Sequence, residues 1–370
     1  MRKTNVLELV GDLKTGGAQA LIRDYARLLD YKKFNVSIAT IYPARTGANV
    51  DIIKHTEAKL LHIYRSRTPF YQIINRLNPI GSISIRLLKL IQTEQVDVIH
   101  VHSSMLRYLD PIRKELVGIK LLYTCHSLPD RYFSGHNEIE YSAAKNLIKD
   151  NGLQLIALHQ QMKEQLNSMF DVDNTIVIRN GIDFSRFNSI KLSQSDLRKS
   201  IGIPEDAFVI GHVGRFSPEK NHTFLIDIFK EIKSRHNKAW LLMVGSGPLV
   251  KQVEHKIQSL GLNKSVIRLE NRSDIPQLLK CMDVFIFPSL FEGLPISIVE
   301  AQVAGLRVIA SDRITKECFF LPTIIAKDID EPADSWADAA CNDSIGSFNK
   351  DITLFDMTKE IKRLESVYYN

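Results

Sequence analysis

An α/β protein with two mostly parallel sheets is the fold class this sequence predicts, and three observations predict it. Short apolar runs alternate with amphipathic stretches along nearly the whole chain, the signature of strand and crossover helix. Several of those runs end in a glycine-bearing loop that opens a helix, as at Gly11–Gly17, Gly214–Asn221 and Gly245–Pro248. The length of 370 residues suits two domains of ordinary size, each able to bury its own core.

In chain order, strands are expected at Val6–Val10, Asn35–Thr40, Lys59–Ile63, Val96–His102, Gly118–Thr124, Leu153–Leu158 and Thr175–Ile178. Helices are expected after Gly17, with Leu21, Ile22, Tyr25, Ala26 and Leu29 on one face, and at Ile83–Gln92. Asn180-Gly181 favours a turn, and the hinge is placed between Phe187 and Ser195. The second half predicts strands at Ala207–Val213, Trp240–Val244, Val266–Leu269, Val284–Phe287 and Arg307–Ala310. It also predicts helices from His222, after Pro248 and between Pro295 and Gly305, then a final helix at Leu354–Tyr368. The expected domains are 1–187 and 188–350, with 351–370 returning to the first.

Composition narrows the class. Residues 1–190 hold 25 Lys+Arg against 18 Asp+Glu, while residues 191–370 hold 23 against 24. No acid falls between Glu57 and Glu94, where Arg65, Arg67, Arg76, Arg86 and Lys89 interleave with apolar residues. That pattern suits either an amphipathic face meeting anionic lipid or a helix with a solvated basic side. No nucleic-acid-binding module is recognisable. The four cysteines lack metal-ligand spacing, and with no secretory leader or spanning run they point to the cytoplasm, at most on the inner membrane face.

The densest signal is Phe285–Gly305, read FIFPSLFEGLPISIVEAQVAG. A buried strand, a tight loop and a helix opened by Pro295 direct free N–H groups at a crevice, which attracts phosphate. Glu292 and Glu300, eight residues apart, should reach different parts of one ligand. Gly214-Arg215 and Glu219-Lys220 lie in another strand-to-helix loop and offer a planar fork and a point charge. Val250 breaks the G-x-G-x-x-G pattern begun at Gly245, which argues against a nicotinamide dinucleotide.

Pro288-Ser289, Glu292-Gly293-Leu294-Pro295, Glu300-Ala301 and Gly305, together with Gly214-Arg215 and Glu219-Lys220, resemble the signatures of the retaining glycosyltransferases of family 4. Among these the wording is similar to bacterial capsular and exopolysaccharide enzymes. The resemblance implies the GT-B fold, two Rossmann-like domains facing across a cleft, and transfer from a nucleoside-diphosphate sugar to a glycan or lipid-linked acceptor. It implies that Arg215 and Lys220 bind the donor diphosphate without a metal or other cofactor, Glu292 the donor sugar and Glu300 the ribose. Gly16 and Gly17 would face the diphosphate, with Gly214, Gly293 and Leu294 also lining the donor site and Arg272 in the loop at the nucleobase. His126, in a Thr-x-His setting at a strand end, matches the family histidine near donor sugar and acceptor; a loop-anchoring histidine is the alternative. His102 shares the strand-end placement, and His100 is expected on the other face of its strand.

The chain departs from the pattern at Asn221, where glycine is common, and at Ile314–Lys316, where glycines precede the retained Glu317. Asp171-x-Asp173 and Asp328-x-Asp330 spell a metal motif, but neither lies at a strand-end crevice. An epimerase or phosphorylase would share the architecture without these motifs. A catalytically silent, nucleotide-binding partner subunit of a polysaccharide assembly complex is the alternative from another class.

Overall fold

A computed structural model describes residues 2–14, 16–43, 47–64, 79–134, 137–342 and 346–369. The chain divides into two units, Met1–Asn180 with Thr358–Asn370, and Gly181–Met357. The passage at Asn180–Gly181 lies a few residues before the hinge expected after Phe187.

The first unit carries seven strands: β1 Thr4–Leu9, β2 Phe34–Thr40, β3 Lys59–His62, β4 Val98–His102, β5 Lys120–Thr124, β6 Gln154–Ala157 and β7 Ile176–Val177. They form one parallel sheet in the order β3-β2-β1-β4-β5-β6-β7. Strand order reverses between β1 and β4, so their carboxyl ends open a crevice at a topological switch point. Helix α1, Gly17–Leu28, leaves the β1 loop and packs Ile22 and Ala26 with Val10 and Ile38. Helix α2, Pro79–Thr93, exposes Ile85, Arg86 and Lys89. The rest of the basic stretch, Arg65, Arg67 and Arg76 included, lies outside the described residues. The C-terminal helix, Met357–Tyr369, packs on this sheet, with Tyr368 against Phe34.

The second unit repeats the plan with six parallel strands: β8 Phe208–Val213, β9 Ala239–Val244, β10 Val266–Leu269, β11 Val284–Phe287, β12 Arg307–Ser311 and β13 Ile324–Lys327, ordered β10-β9-β8-β11-β12-β13. Here the switch point falls between β8 and β11. Helices α3, His222–Arg235, and α4, Ile296–Val303, follow those two strands. Trp336, Phe229, Ile226 and Ile286 lie in the core against the sheet.

One buried cation fastens the entry to this unit. Arg198 donates from Nε to the Cys281 carbonyl at 2.9 Å and from Nη2 to Asp283 Oδ2 at 2.7 Å. Its Nη1 donates to the carbonyls of Glu205 and Ala207 at 2.9 and 3.1 Å. Arg198→Ala strands those acceptors and should cost about 3 kcal/mol or more. The denaturation midpoint followed by tryptophan fluorescence checks this, since Trp240 and Trp336 both lie in this unit.

Candidate active site

In the second unit three strand-end loops interlock at the switch point. The Gly214 N–H donates to Val244 O (3.0 Å), Phe216 N–H to Ser246 O (3.0 Å), Leu249 N–H to Phe216 O (3.0 Å) and Leu290 N–H to Glu219 O (2.8 Å). Two glycines permit the close approach. A Cβ on Gly245, whose φ is +150°, would sit 1.9 Å from Gly214 O, and one on Gly247 would sit 2.4 Å from Phe216 O. Gly245→Ala must therefore push the Gly214 loop aside. We expect a loss of about 2 kcal/mol, read from the denaturation midpoint against the unaltered chain.

This frame brings Lys220 and Glu292 together across 72 residues of sequence. Lys220 Nζ lies 2.6 Å from Glu292 Oε1, both side chains being largely buried at 14% and 13% exposure. The ammonium also sits 4.7 Å from the centre of the Phe287 ring. Gly214 makes room for it: a Cβ there would meet His212 Nε2 at 2.9 Å and Lys220 Cδ at 3.3 Å. Arg215 is exposed, and its guanidinium has no ion-pair partner among the described residues. Asn221 takes φ 53°, a left-handed conformation that asparagine tolerates better than most residues, which accounts for its standing in place of glycine.

Gly293 and Leu294 lie buried just before α4, and their N–H groups have no backbone acceptor among the described residues. Pro295 is the residue preceding α4, one position earlier than expected. Glu300 is half-buried on the same helix. Arg272 gives two of its nitrogens to Asp274, Nε to Oδ1 at 2.7 Å and Nη2 to Oδ2, so the fork in the loop after β10 is engaged within its own loop. Of the Asp-x-Asp spellings, Asp171 ends a helix in the left-handed region and Asp330 pairs with Arg313.

Sequence reasoning passed over a histidine pair beneath this site. His212 Nδ1–H donates to Ile286 O at 2.9 Å, and its ring stands against His222 with centroids 4.8 Å apart. Burial pushes His212 down to about 4 and His222 to about 2, with the Lys220 charge adding to both. The available signal was two histidines flanking the Gly214–Asn221 loop inside apolar runs.

In the first unit Gly16 precedes α1 with an extended φ of 171°, and Gly17 begins the helix. Among the described residues a Cβ on Gly17 would meet nothing within 4 Å, while one on Gly16 would first meet Gln19 Oε1, at 2.2 Å. His126 follows β5, and its Nε2 lies 2.9 Å from His102 Nδ1. His102 Nε2 reaches Glu8 Oε2 at 2.8 Å, and Tyr368 Oη donates to Glu8 Oε1 at 2.6 Å. His100 does not point to the opposite face: residues two apart on a strand share a face, and the His100 and His102 rings stand 4.2 Å apart.

Burial works to raise the Glu8 carboxyl, but His100 and His102 outweigh it and hold it below the usual carboxylate range. Burial pushes His102 down to about 4 and His126 well below the usual imidazole value. Glu8 went unread as a site residue; a carboxylate inside an apolar strand run was the signal, since it must find partners.

Two parallel sheets of Rossmann-like plan, each with a switch-point crevice and the second carrying the Lys220–Glu292 pair at its own, have the architecture of the GT-B fold. The first unit and its exit match the model described as Glycosyltransferase Family 4 over residues 15–186, and the second matches that of Glycosyl transferases group 1 over 193–318. The chain belongs to this glycosyltransferase family. It is 26% identical over 339 residues to a Bacillus subtilis chain named as glycosyltransferase EpsF, covering 90% of this chain and 86% of that one. It is 32% identical over 242 residues to the Escherichia coli UDP-Gal:alpha-D-GlcNAc-diphosphoundecaprenol alpha-1,3-galactosyltransferase, covering 63% and 62%. In fold it is similar to Anabaena Alr3699/HepE, solved in complex with UDP and glucose, with TM-score 0.73, 20% identity and 99% of each chain covered. Among the described residues no helix is long and apolar enough to cross a membrane.

Proposed function

We propose that this chain is a retaining glycosyltransferase that moves a sugar from a nucleoside-diphosphate sugar to a glycan or lipid-linked acceptor, in the assembly of cell-surface polysaccharide. The observation that carries the reading is Lys220 against Glu292 at 2.6 Å, at the switch point of the second sheet. It joins a phosphate-binding cation to a hydroxyl-binding carboxylate where α/β sheets bind ligands. The names of the relatives support a uridine nucleotide donor and an acceptor carried on a lipid diphosphate.

Transfer forms a bond between an acceptor oxygen and the anomeric carbon as the bond to the β-phosphate breaks, through an oxocarbenium-like state. The acceptor proton ends on the departing phosphate, so attack and departure share a face and configuration is retained. We assign the charge that develops on the diphosphate to Lys220, Arg215 and the amides of Gly293 and Leu294 rather than to a metal. Gly16, Gly17 and Gly214 let backbone approach the phosphates. Glu292 accepts from sugar hydroxyls, Glu300 from the ribose, and His126 meets the transferred sugar or acceptor; Arg272 lies in the loop assigned to the nucleobase. The exposed Ile85, Arg86 and Lys89 of α2 suit an anionic lipid surface of the kind the cytoplasmic leaflet presents.

The test is a panel of uridine, guanosine and adenosine diphosphate sugars, read by thermal shift and by release of nucleoside diphosphate with an acceptor present. A stabilising donor that is turned over supports the reading. Nucleotide binding without turnover on any lipid-diphosphate acceptor would leave a silent partner subunit instead.

A further inference from the structure

We propose that Glu8 and His102 are positioning residues that hold His126 as its Nε2–H tautomer, so that the Nδ1 lone pair is presented as an acceptor to a sugar hydroxyl. The tautomer follows from the first unit alone; its use in transfer rests on the function proposed above.

Each proton in the chain is forced by the one before. An ionised carboxylate only accepts. Tyr368 spends its single proton on Glu8 Oε1 at 2.6 Å, so the 2.7 Å contact between Tyr368 Oη and His100 Nδ1 takes its proton from His100. His100 Nε2 then accepts from Thr124 Oγ1 at 2.7 Å. Glu8 Oε2 has nothing to donate to His102 Nε2 at 2.8 Å, so that nitrogen carries the N–H. Neutral His102 therefore keeps its lone pair on Nδ1. The 2.9 Å contact from there to His126 Nε2 needs an N–H on the His126 side. What is left is His126 Nδ1, unprotonated, buried and without a hydrogen-bond partner among the described residues.

The charged groups and rings around the relay agree with that assignment. His102 is faced by Glu8 from β1, Tyr25 from α1, His100 from its own strand and His126 after β5, while Tyr368 from the C-terminal helix caps Glu8. Burial opposes a second proton on His102 or His126, so a neutral pair beside one buried carboxylate is the favoured state. Glu8, His100 and His102 also bring donor atoms within 4.8 Å of one another, as a metal site would. Here every one of those donors is already engaged in the hydrogen-bond chain. A buried acceptor left unpaired is costly, and a ligand hydroxyl removes that cost.

Two substitutions at one position separate this from a packing role. Asparagine at 102 can place an amide oxygen near the former Nδ1 and accept from His126; phenylalanine fills the ring volume and accepts nothing. Packing alone ranks His102→Phe above His102→Asn in both stability and activity. The relay reverses the second order: His102→Asn keeps a kcat at least about tenfold above His102→Phe, at similar donor KM, although its Tm is lower.

The tautomer is read without substrate, by long-range 1H–15N correlation on 15N-histidine-labelled protein, with His126→Asn to assign the signal. The expected result is the Nε2–H form of His126 in the unaltered chain and in His102→Asn, and its loss in His102→Phe. An Nδ1–H or charged His126, activities that follow Tm, or stoichiometric zinc removed by Glu8→Gln would overturn the proposal. Absence of turnover with every donor would overturn the transferase reading, while the spectrum still decides the tautomer.

Discussion

Lys220→Ala should lower kcat by about 10²–10³-fold, the usual loss when one preorganised group that stabilises developing charge is removed. Lys220 is held before any ligand arrives, between the Glu292 carboxylate at 2.6 Å and the Phe287 ring at 4.7 Å. Its stem runs past Gly214, where no side chain intrudes. On the proposed function, a donor diphosphate that took the ammonium would free Glu292 to accept from the sugar, so a single exchange of partners would engage both sides of the bond that breaks. Arg215→Ala makes the cleaner companion. Its exposed guanidinium has no ion-pair partner in the described structure, so stability should stay within about 0.5 kcal/mol while kcat falls. Lys220→Ala, by contrast, leaves a largely buried Glu292 without its cation, and Tm should drop as well. Release of nucleoside diphosphate under saturating donor is the measurement. Near-normal turnover in both variants would remove these cations from the mechanism.

Much of this was legible beforehand, and the gaps share one cause. All seven strands of the first sheet stood out as apolar runs, because a parallel strand covered on both faces has few polar positions. In the second sheet the edge strand Ile324–Lys327 was missed: it is four residues long and pairs only with β12. The loops holding Arg215, Lys220 and Glu292, and the helix start ahead of Glu300, were visible because glycine and proline punctuate them. Their pairing was not. Lys220 and Glu292 meet only because β8 and β11, far apart in sequence, are neighbours in the sheet. The same holds for Glu8, His102 and Tyr368, joined from three elements with 360 residues between Glu8 and Tyr368. Local pattern reports strands and turns; contacts across the sheet order require the sheet.

That sheet order also sets an acid limit on stability. His212 is fully buried, donates to Ile286 O at 2.9 Å, and has a folded-state value of about 4 against an ordinary 6.5. Above pH 6.5 the ring is neutral folded or unfolded, and it costs nothing. Between 6.5 and about 4 the unfolded chain takes up a proton that the folded unit refuses, so stability falls as pH falls. Below about 4 both states are protonated and the slope ends. At about 1.4 kcal/mol per unit for one proton, His212 alone accounts for a loss on the order of 3 kcal/mol across that window. His222, pushed lower still by burial, His212 and Lys220, adds in the same direction. In the first unit His102 and His126, also driven down by burial, act likewise. The two tryptophans isolate the second unit, so urea titrations followed by their fluorescence from pH 7 to 4.5 read His212 and His222 without the Glu8 relay. The expected slope near pH 5 is between one and two protons, and His212→Phe should flatten it by close to one. A stability independent of pH over that range would mean that these rings accept protons in place, and that the packing around Lys220 is looser than its burial implies.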